Sequence, residues 1–408
     1  MAQITSFGEP QYARAVLHYE NRRLSGNWGA WKVEGTIAGD RIRLSLVGKG
    51  GETAGSLSGA ADGKGFSGDG SAVLRRRAGA QGEEQKVSWR LSRIPAPPPG
   101  GPKTWDYEPK VFYPYYSAAN PAALRIFPGD TVRTWTPDAG GISPRLERVA
   151  SGSDASVGPF YVEGALPGDT LVVKLKKVRI NRDSARQGNR INTRAVTAEY
   201  ASAAAYSSTF NSQWKLDRAK GIATLLHPTE RMKNLTVPIV PMIGCLGVAP
   251  PGEEVYRGTD LGPFGGNMDY NQNGEGMTLY FPVFHPGALF VLGDAHAAMG
   301  DGELTGAALE TSMDVEFTVD VIKGYATGAP RAENADYLIS FGIAGSVPEA
   351  IQNATSQLAE WLKHDYKLND NEVAVLLGAV LKYDITEMVD PKYNVVAKAP
   401  KSALANLR

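Results

Sequence analysis

Several segments of the chain alternate polar and apolar residues with a period of two, and this pattern constrains the fold more than any other feature. It is clearest in Asp40–Gly48, Lys86–Arg93 and Ser312–Gly324. A period of two places successive side chains on opposite faces of an extended strand, so each segment predicts a strand with one buried face. The 46 glycines and 26 prolines suit the many turns that short strands require. We therefore predict a β-rich protein.

A proline-rich segment, Pro95–Pro102, divides the chain. Segments of this composition are extended and semi-rigid, so they connect folded units without joining their cores. A length of 408 residues is enough for two domains. We predict a small all-β module over 1–94, with a sandwich or barrel-like fold. A linker over 95–108 and a larger domain over 109–408 follow it.

The C-terminal region changes to helical spacing of its apolar residues. Ser346 with Glu349, and Asn369 with Glu372, have the spacing of a capping box, in which each residue satisfies a backbone group of the other. Two helices are therefore predicted, followed by a closing strand over Asp384–Asp390. The larger domain is predicted to be α+β, with mostly antiparallel sheets and two late helices.

The charge balance excludes some classes of partner. Lys and Arg together number 43, as do Asp and Glu, so the net charge is zero. Nucleic acid and anionic membranes are therefore not expected as partners. No window approaches the ~18 apolar residues of a membrane span, and the first residues lack a signal-peptide pattern. The sequence leaves the location unknown: it is cytoplasmic, or periplasmic or secreted if a signal peptide has been removed.

The segment Val291–Leu304 concentrates acidic residues around a histidine. Asp294, His296, Asp301 and Glu303 lie within ten positions and are separated by Gly, Ala and Met. If the preceding apolar strand continues, Asp294 and His296 point to the same side. Carboxylate oxygens and imidazole nitrogens are ligands for divalent cations, so the segment predicts a metal site. An acidic loop in solvent is the alternative.

A second concentration of Gly and polar residues lies in Gly262–Gly276. A glycine pair such as Gly265 and Gly266 lets a backbone approach a ligand closely. The amide of Asn267 can both donate and accept hydrogen bonds, and Asp269 follows it. The segment predicts substrate binding. A glycine-rich loop without a ligand is the alternative.

Three further residues are ambiguous from sequence. Glu163 lies within an apolar strand, where a carboxylate is costly unless it is paired or bound to a cation. Asp138 precedes two glycines and on its own indicates a turn. Cys245, the single cysteine, lies among apolar residues, which favours a packed side chain over a nucleophile.

Several of these stretches resemble the acetamidase/formamidase family. The resemblance rests on "GPFYVEGALPGDTLVV", "PMIGCLGVAP", "GPFGGNMD", "LYFPVFHPGALFVLGDAHAAMGDGEL" and "GAALE", and it runs from about Pro109 to Pro400. It implies a β-rich α+β fold, a homo-oligomer, and hydrolysis of the C–N bond of a small-molecule amide. The polar positions that match the family's motifs are Asp138, Glu163, Asn267, Asp269, Asp294, His296, Asp301, Glu303 and Glu310.

One position departs from the family pattern. Met299 stands where the family usually has Gln, so an apolar thioether replaces an amide. This favours a larger or more apolar acyl group, or an N-substituted amide. Met299 therefore joins Gly265, Gly266, Asn267 and Asp269 as a predicted substrate-binding residue.

The resemblance and the acidic segment together suggest hydrolysis by water that a cation activates. Asp138, Asp294 and His296 are the predicted metal ligands. Zinc is the first expectation, with manganese or calcium as alternatives.

Glu303 is the predicted general base, which then delivers the proton to the leaving nitrogen. Glu163 and Asp301 are predicted to assist catalysis. Two other classes stay open at this point. One is an amidase with Cys245 as its nucleophile, and the other is a non-catalytic β-rich protein that binds a metal or a partner.

Overall fold

The computed structural model describes residues 1–74 and 82–407, and the chain divides into two compact units. One unit contains Met1–Pro99 and Leu166–Gly168. The other contains Gly100–Ala165 and Asp169–Arg408. Each unit has a hydrophobic core of its own. We propose that the proline-rich segment Pro95–Pro102 forms the boundary between the two domains.

The N-terminal unit is one antiparallel sheet of nine strands. Alternation decides its buried face: Ile42, Leu44 and Leu46 are buried, and the residues between them are exposed. In spatial order the strands are Glu9–Ala13, Ala2–Ser6, Glu83–Ser92, Gly65–Leu74, Thr53–Ala61, Arg41–Val47, Trp31–Ala38, Arg23–Trp28 and Ala15–Glu20.

The first and last strands of this order are consecutive in sequence. Only Arg14 separates Glu9–Ala13 from Ala15–Glu20. One extended segment therefore pairs first with Ala2–Ser6 and then with Arg23–Trp28, which closes the sheet on itself. The prediction of a small all-β unit is confirmed.

The larger unit contains two main sheets, which are mostly antiparallel. The strands of the nine-stranded sheet are Thr104–Asp106, Thr131–Thr136, Met313–Ile322, Thr170–Ile180, Thr278–Pro282, Arg331–Glu333, Tyr337–Ala344, Tyr393–Pro400 and Lys382–Glu387. The strands of the seven-stranded sheet are Phe112–Tyr113, Ser156–Val162, Phe290–His296, Met242–Gly247, Gly265–Asn267 and Leu261–Gly262, with Leu124–Ile126 beside Ser156–Val162.

Aromatic side chains join these two sheets into one core. Phe317, from the nine-stranded sheet, packs 5.2 Å from Phe160 and 5.3 Å from Phe290, measured between ring centroids. Phe281 lies 6.0 Å from Phe290 in the same way. Edge-to-face and tilted pairs of this kind stabilise a core beyond the area that they bury.

Smaller sheets complete this unit. A two-stranded sheet joins Tyr115–Tyr116 to Tyr256–Arg257. A four-stranded sheet contains Ser184–Arg186, Gln213–Asp217, Ile222–Leu225 and Val237–Pro238.

Two helices cover the C-terminal part of the nine-stranded sheet. Val347–Tyr366 begins at Ser346, whose hydroxyl accepts a bond from the backbone N–H of Glu349. Asp370–Val380 begins with both bonds of the predicted capping box. Short helices span Ala198–Ala203 and Lys401–Leu404. The predicted α+β class is confirmed. None of the helices described in 1–74 and 82–407 has the length and apolar character needed to cross a membrane.

The predicted closing strand Asp384–Asp390 is wrong at its end. The strand is Lys382–Glu387, and it pairs with a longer strand, Tyr393–Pro400. The chain turns after Glu387 because the Glu387 carboxylate accepts bonds from the backbone N–H groups of Val389 and Asp390. This local turn brings the Asp390 side chain back toward Glu387.

Candidate active site

A cluster of seven carboxylates around one imidazole lies in the larger unit. It is called the carboxylate cluster below. Its members are buried or nearly so, although isolated carboxylates are strongly disfavoured away from water. They are Asp154, Asp269, Asp294, His296, Glu303, Glu310, Glu387 and Asp390.

His296 lies at the centre of this cluster. Its Nε2 atom is 3.1 Å from Asp294 Oδ1 and 3.1 Å from Glu310 Oε1. The same nitrogen is 3.9 Å from Glu303 Oε1, and Nδ1 is 3.8 Å from Asp269 Oδ1. The strand Phe290–His296 thus presents Asp294 and His296 to one side, while a bridge between His296 and Glu310 adds the second carboxylate.

The neighbouring strand lets two carboxylates converge because it carries Gly244. A Cβ atom at Gly244 would lie 2.2 Å from Asp269 Oδ1 and 2.4 Å from Asp294 Oδ2. Any other residue would displace one or both oxygens. The two carboxylates therefore approach the same point above the strand Met242–Gly247.

A chain of hydrogen bonds orients Asp390 at another side of the cluster. Cys245 Sγ donates to Asn267 Oδ1 at 3.0 Å, and the Asn267 amide nitrogen donates to Asp390 Oδ2. Burial raises the pKa of Asp390 to about 6, against the lowering effect of the Asn267 bond. Asn267 therefore holds a carboxylate of the cluster.

Burial dominates the proton equilibria of the other acids. It raises the pKa values of Asp154, Asp269 and Glu303 well above their ordinary range, and nearby carboxylates add to the effect. It raises the pKa of Glu310 to about 7, although His296 opposes the shift. The pKa of Glu387 rises to about 7 for the same reason, with Asp390 contributing.

The acidic neighbours of His296 raise the pKa of its imidazole. Burial alone would lower the pKa of the imidazole, but the negative charges of Glu310 and Asp294 outweigh it. The pKa of His296 is therefore raised well above its ordinary value.

Several buried atoms of the cluster have no hydrogen-bond partner among the residues that the structure describes. They are both carboxylate oxygens of Asp269, Glu310 Oε2, Glu387 Oε2 and His296 Nδ1. Buried polar atoms are nearly always bonded, so these atoms indicate a ligand. Oxygen and imidazole nitrogen donors suit a divalent cation.

Three groups of side chains can each bring their ligand atoms within 4.8 Å of one another. His296 is shared by the first two groups, and Asp269 by the first and third. The groups are Asp269–His296–Glu303, Asp294–His296–Glu310 and Asp269–Glu387–Asp390.

A cavity of about 780 Å³ lies beside the cluster. Glu303 belongs to both, because it lines the cavity and approaches His296. Met299, Leu304 and Trp214 give the cavity much of its apolar wall. Asp301 also lines it, but is exposed and accepts a bond from Asn271 at 2.7 Å. Asp301 is therefore at the wall of the cavity and outside the cluster.

Two predicted residues lie away from the cluster's ligand groups, and their assignments are corrected. Asp138, predicted as a metal ligand, forms a buried ion pair with Arg182 and accepts a bond from the backbone N–H of Ile142 at 2.9 Å. Glu163, predicted to assist catalysis, binds the Arg125 guanidinium at 2.6 Å. Both carboxylates are already neutralised by arginine.

The predicted role of the glycine pair also changes. Gly265 and Gly266 lie within a strand, and a Cβ on either would come within 2.3 Å of a backbone oxygen, from Leu246 and Asp260 respectively. Glycine is needed there for close strand packing. Asp269, predicted to bind substrate, instead belongs to the carboxylate cluster.

Sequence reasoning missed three members of the cluster. Asp154 lies in a turn-rich segment and gave no pattern, yet it is buried with a φ of 57°. Glu387 and Asp390 were contained in the predicted closing strand. A signal was present there, since two acids are spaced three residues apart, one at the end of the strand Lys382–Glu387 and one just after it.

Fold and site together define a class: a two-sheet α+β protein with a buried acid–histidine centre suited to divalent cations. Residues 262–401 match the model of the Acetamidase/Formamidase family. This segment contains every member of the cluster except Asp154. Over this segment the chain matches the acetamidase/formamidase family, which the sequence motifs predicted.

Solved structures resemble the chain over most of their length. A predicted acetamidase/formamidase from Thermoanaerobacter tengcongensis shares 27% identity, covering 75% of this chain and 99% of that one, with a TM-score of 0.63. The acetamidase from Yersinia enterocolitica shares 29% identity, covering 75% and 94%, with a TM-score of 0.63. An acetamidase from Mycolicibacterium smegmatis is 39% identical over 61 residues, and the match spans only 15% of that protein.

Proposed function

We propose that the protein is an amidase that hydrolyses the C–N bond of a carboxamide to a carboxylate and ammonia or an amine. The relatives named as acetamidases support the reaction class. The observation that carries the proposal is the position of Glu303. This side chain belongs to the carboxylate cluster and also lines the cavity in which a substrate fits.

Asp294, His296 and Glu310 are the side chains that would hold a divalent cation in this function. Two carboxylate oxygens already lie 3.1 Å from the imidazole Nε2 atom, so three donors face one another. A bound divalent cation lowers the pKa of a coordinated water from about 16 to about 7 and polarises a carbonyl oxygen. The nitrogen donor favours zinc, with manganese or calcium as alternatives.

Two contacts support Glu303 as the residue that transfers protons. Its Oε1 atom accepts a bond from the backbone N–H of Ala308 at 2.8 Å, which fixes the carboxyl group at the cavity wall. Burial raises its pKa well above the ordinary value, and a raised pKa favours a carboxyl group that can hold and return a proton. Glu303 removes the proton from the attacking water and delivers it to the leaving nitrogen.

The cavity suits an apolar substituent on the amide. Met299, Leu304 and Trp214 contribute thioether, aliphatic and indole surface. A volume of about 780 Å³ is far larger than formamide or acetamide requires, and falls in the range of typical ligand pockets. We infer that the preferred substrate has a larger acyl group or a substituent on nitrogen.

The alternative of a cysteine nucleophile has little support. Cys245 is fully buried, and its thiol donates to Asn267. Burial raises the pKa of this thiol well above its usual range, so the thiolate that attacks a carbonyl is disfavoured. The residue acts in packing and in orienting Asn267.

The test is ammonia or amine release from a panel of amides, from formamide to N-substituted aryl amides. Each is assayed before and after treatment with chelator, and after addition of zinc, manganese or calcium. We expect turnover that chelator abolishes and one metal restores. Absence of turnover at every metal load would favour a non-catalytic metal-binding protein.

Matched variants locate the base. Glu303→Gln is expected to lose turnover, whereas Glu163→Gln makes the same chemical change at a buried glutamate outside the cluster and should retain it. Equal loss in both variants would exclude a specific role for Glu303. We also propose a homo-oligomer, to be tested by analytical ultracentrifugation.

A further inference from the structure

With its acids ionised, as metal ligands are, the carboxylate cluster would carry more negative charge than one divalent cation compensates. It contains seven carboxylates and one histidine. The neighbouring Arg182 is already paired with Asp138. Unpaired carboxylates in a buried site are costly, so most of this charge requires positive partners. One divalent ion at Asp294, His296 and Glu310 leaves a second group of acids without one.

That second group consists of Asp269, Glu387 and Asp390. Their ligand atoms lie within 4.8 Å of one another, and none of them belongs to the Asp294–His296–Glu310 group. Both groups can therefore be complete at the same time. Asp269 is fully buried, and neither of its oxygens has a hydrogen-bond partner among the described residues.

Glu387 and Asp390 are both oriented by hydrogen bonds, and one oxygen of Glu387 keeps no partner among the described residues. Glu387 Oε1 accepts the backbone N–H groups of Val389 and Asp390, while Oε2 is buried without a partner among the described residues. Asp390 Oδ2 accepts the Asn267 amide, which Cys245 holds in turn. These contacts preorganise two carboxylates that would otherwise repel one another.

We propose that Asp269, Glu387 and Asp390 hold a second divalent cation, beside the one assigned to Asp294, His296 and Glu310. The inference rests on the proposed function only for the position of the first ion. Asp269 and Asp294 converge above Gly244, so one carboxylate of each group lies next to a carboxylate of the other. The all-oxygen donor set favours manganese, magnesium or calcium at the second position, whereas the first contains a nitrogen donor.

The experiment measures metal content, which does not depend on turnover. The full chain is stripped with chelator, loaded separately with Mn²⁺ and Zn²⁺, passed through a desalting column and analysed by mass spectrometry for bound metal. Titration calorimetry with Mn²⁺ gives the number of sites. We expect two ions per chain in the unchanged protein and one ion in Glu387→Gln.

Two further variants define the result. Asp390→Asn should also bind one ion, and it serves if Glu387→Gln fails to fold. Glu163→Gln should bind two ions, because its carboxylate is paired with Arg125 outside both groups. A single ion in the unchanged protein would overturn the proposal, as would two ions in both Glu387→Gln and Asp390→Asn. An inactive protein that binds two ions would remove the proposed amidase function and leave the second cation site standing.

Discussion

Replacement of Gly244 by alanine tests the convergence of the carboxylate cluster directly. The added Cβ would lie 2.2 Å from Asp269 Oδ1 and 2.4 Å from Asp294 Oδ2, whereas ordinary contact begins at 3.4 Å. Each oxygen must therefore recede by about 1 Å. Metal–oxygen bonds are only about 2.0–2.2 Å long, so such a shift removes a ligand from each group.

The fold should survive this substitution. The atoms in the way are the ends of two side chains, and overpacking of this kind costs about 1–3 kcal/mol. Loss of a residue that only hydrogen-bonds to a metal ligand lowers metal affinity by about 10–100-fold. Displacement of two direct ligands should therefore lower the affinity by at least about 100-fold. Amide turnover should fall with it.

The assay is competition for Zn²⁺ and Mn²⁺ against a coloured chelator, with thermal unfolding of the metal-free protein as the measure of fold. Gly378→Ala is the matched control, because a Cβ there meets nothing within 4 Å. It lies inside the helix Asp370–Val380 and should gain up to about 1 kcal/mol of stability. Unchanged metal affinity in Gly244→Ala would refute the placement of Asp269 and Asp294.

Three other outcomes are expected. Burial raises the pKa of Glu387 from an ordinary value of 4.5 to about 7. The protonated side chain therefore favours the folded metal-free protein by about 3 kcal/mol. This stabilisation is present below pH 4.5 and is lost as the pH rises through 7. Urea unfolding of stripped protein at pH 5 and pH 8 should show this loss, and metal-loaded protein or Glu387→Gln should show less of it. Met299→Gln should reduce kcat/KM for an apolar amide about tenfold, because the polar side-chain amide of Gln replaces an apolar part of the cavity wall. The kcat/KM for formamide should be unchanged. An equal fall for both substrates would argue against a contact between Met299 and the substrate. Cys245→Ser should retain turnover, since a hydroxyl can still donate to Asn267, and its complete inactivation would revive the cysteine mechanism.

Features with local causes were predictable from sequence. Alternation places Ile42, Leu44 and Leu46 in the core of the N-terminal unit, and capping residues place the starts of both C-terminal helices. These features depend on neighbours a few positions apart. The proximity of Asp294 and His296 agrees with the period of two that the sequence indicated. The φ of 57° at Asp294, where the pairing with Met242–Gly247 is interrupted, was not predictable from that period.

Features that depend on distant partners were not predictable. Asp138 is separated from Arg182 by 44 positions, and Glu163 from Arg125 by 38. Only the folded chain shows that arginine already neutralises these acids. Glu387 and Asp390 reach the cluster because the chain turns after the strand Lys382–Glu387. The Glu387 carboxylate stabilises this turn by accepting a hydrogen bond from the backbone N–H of Asp390.

The closure of the N-terminal barrel sets a condition on its synthesis. Its first strand, Ala2–Ser6, is held between Glu9–Ala13 and Glu83–Ser92, so one of its two partners is made almost last. At ribosomal rates of about 5–20 residues per second, the first strand waits on the order of 5–20 s for that partner. Until then it can form only a hairpin, and isolated hairpins are marginally stable at best. A chain released before Ser92 would carry an open sheet with an unpaired edge, the form most exposed to aggregation.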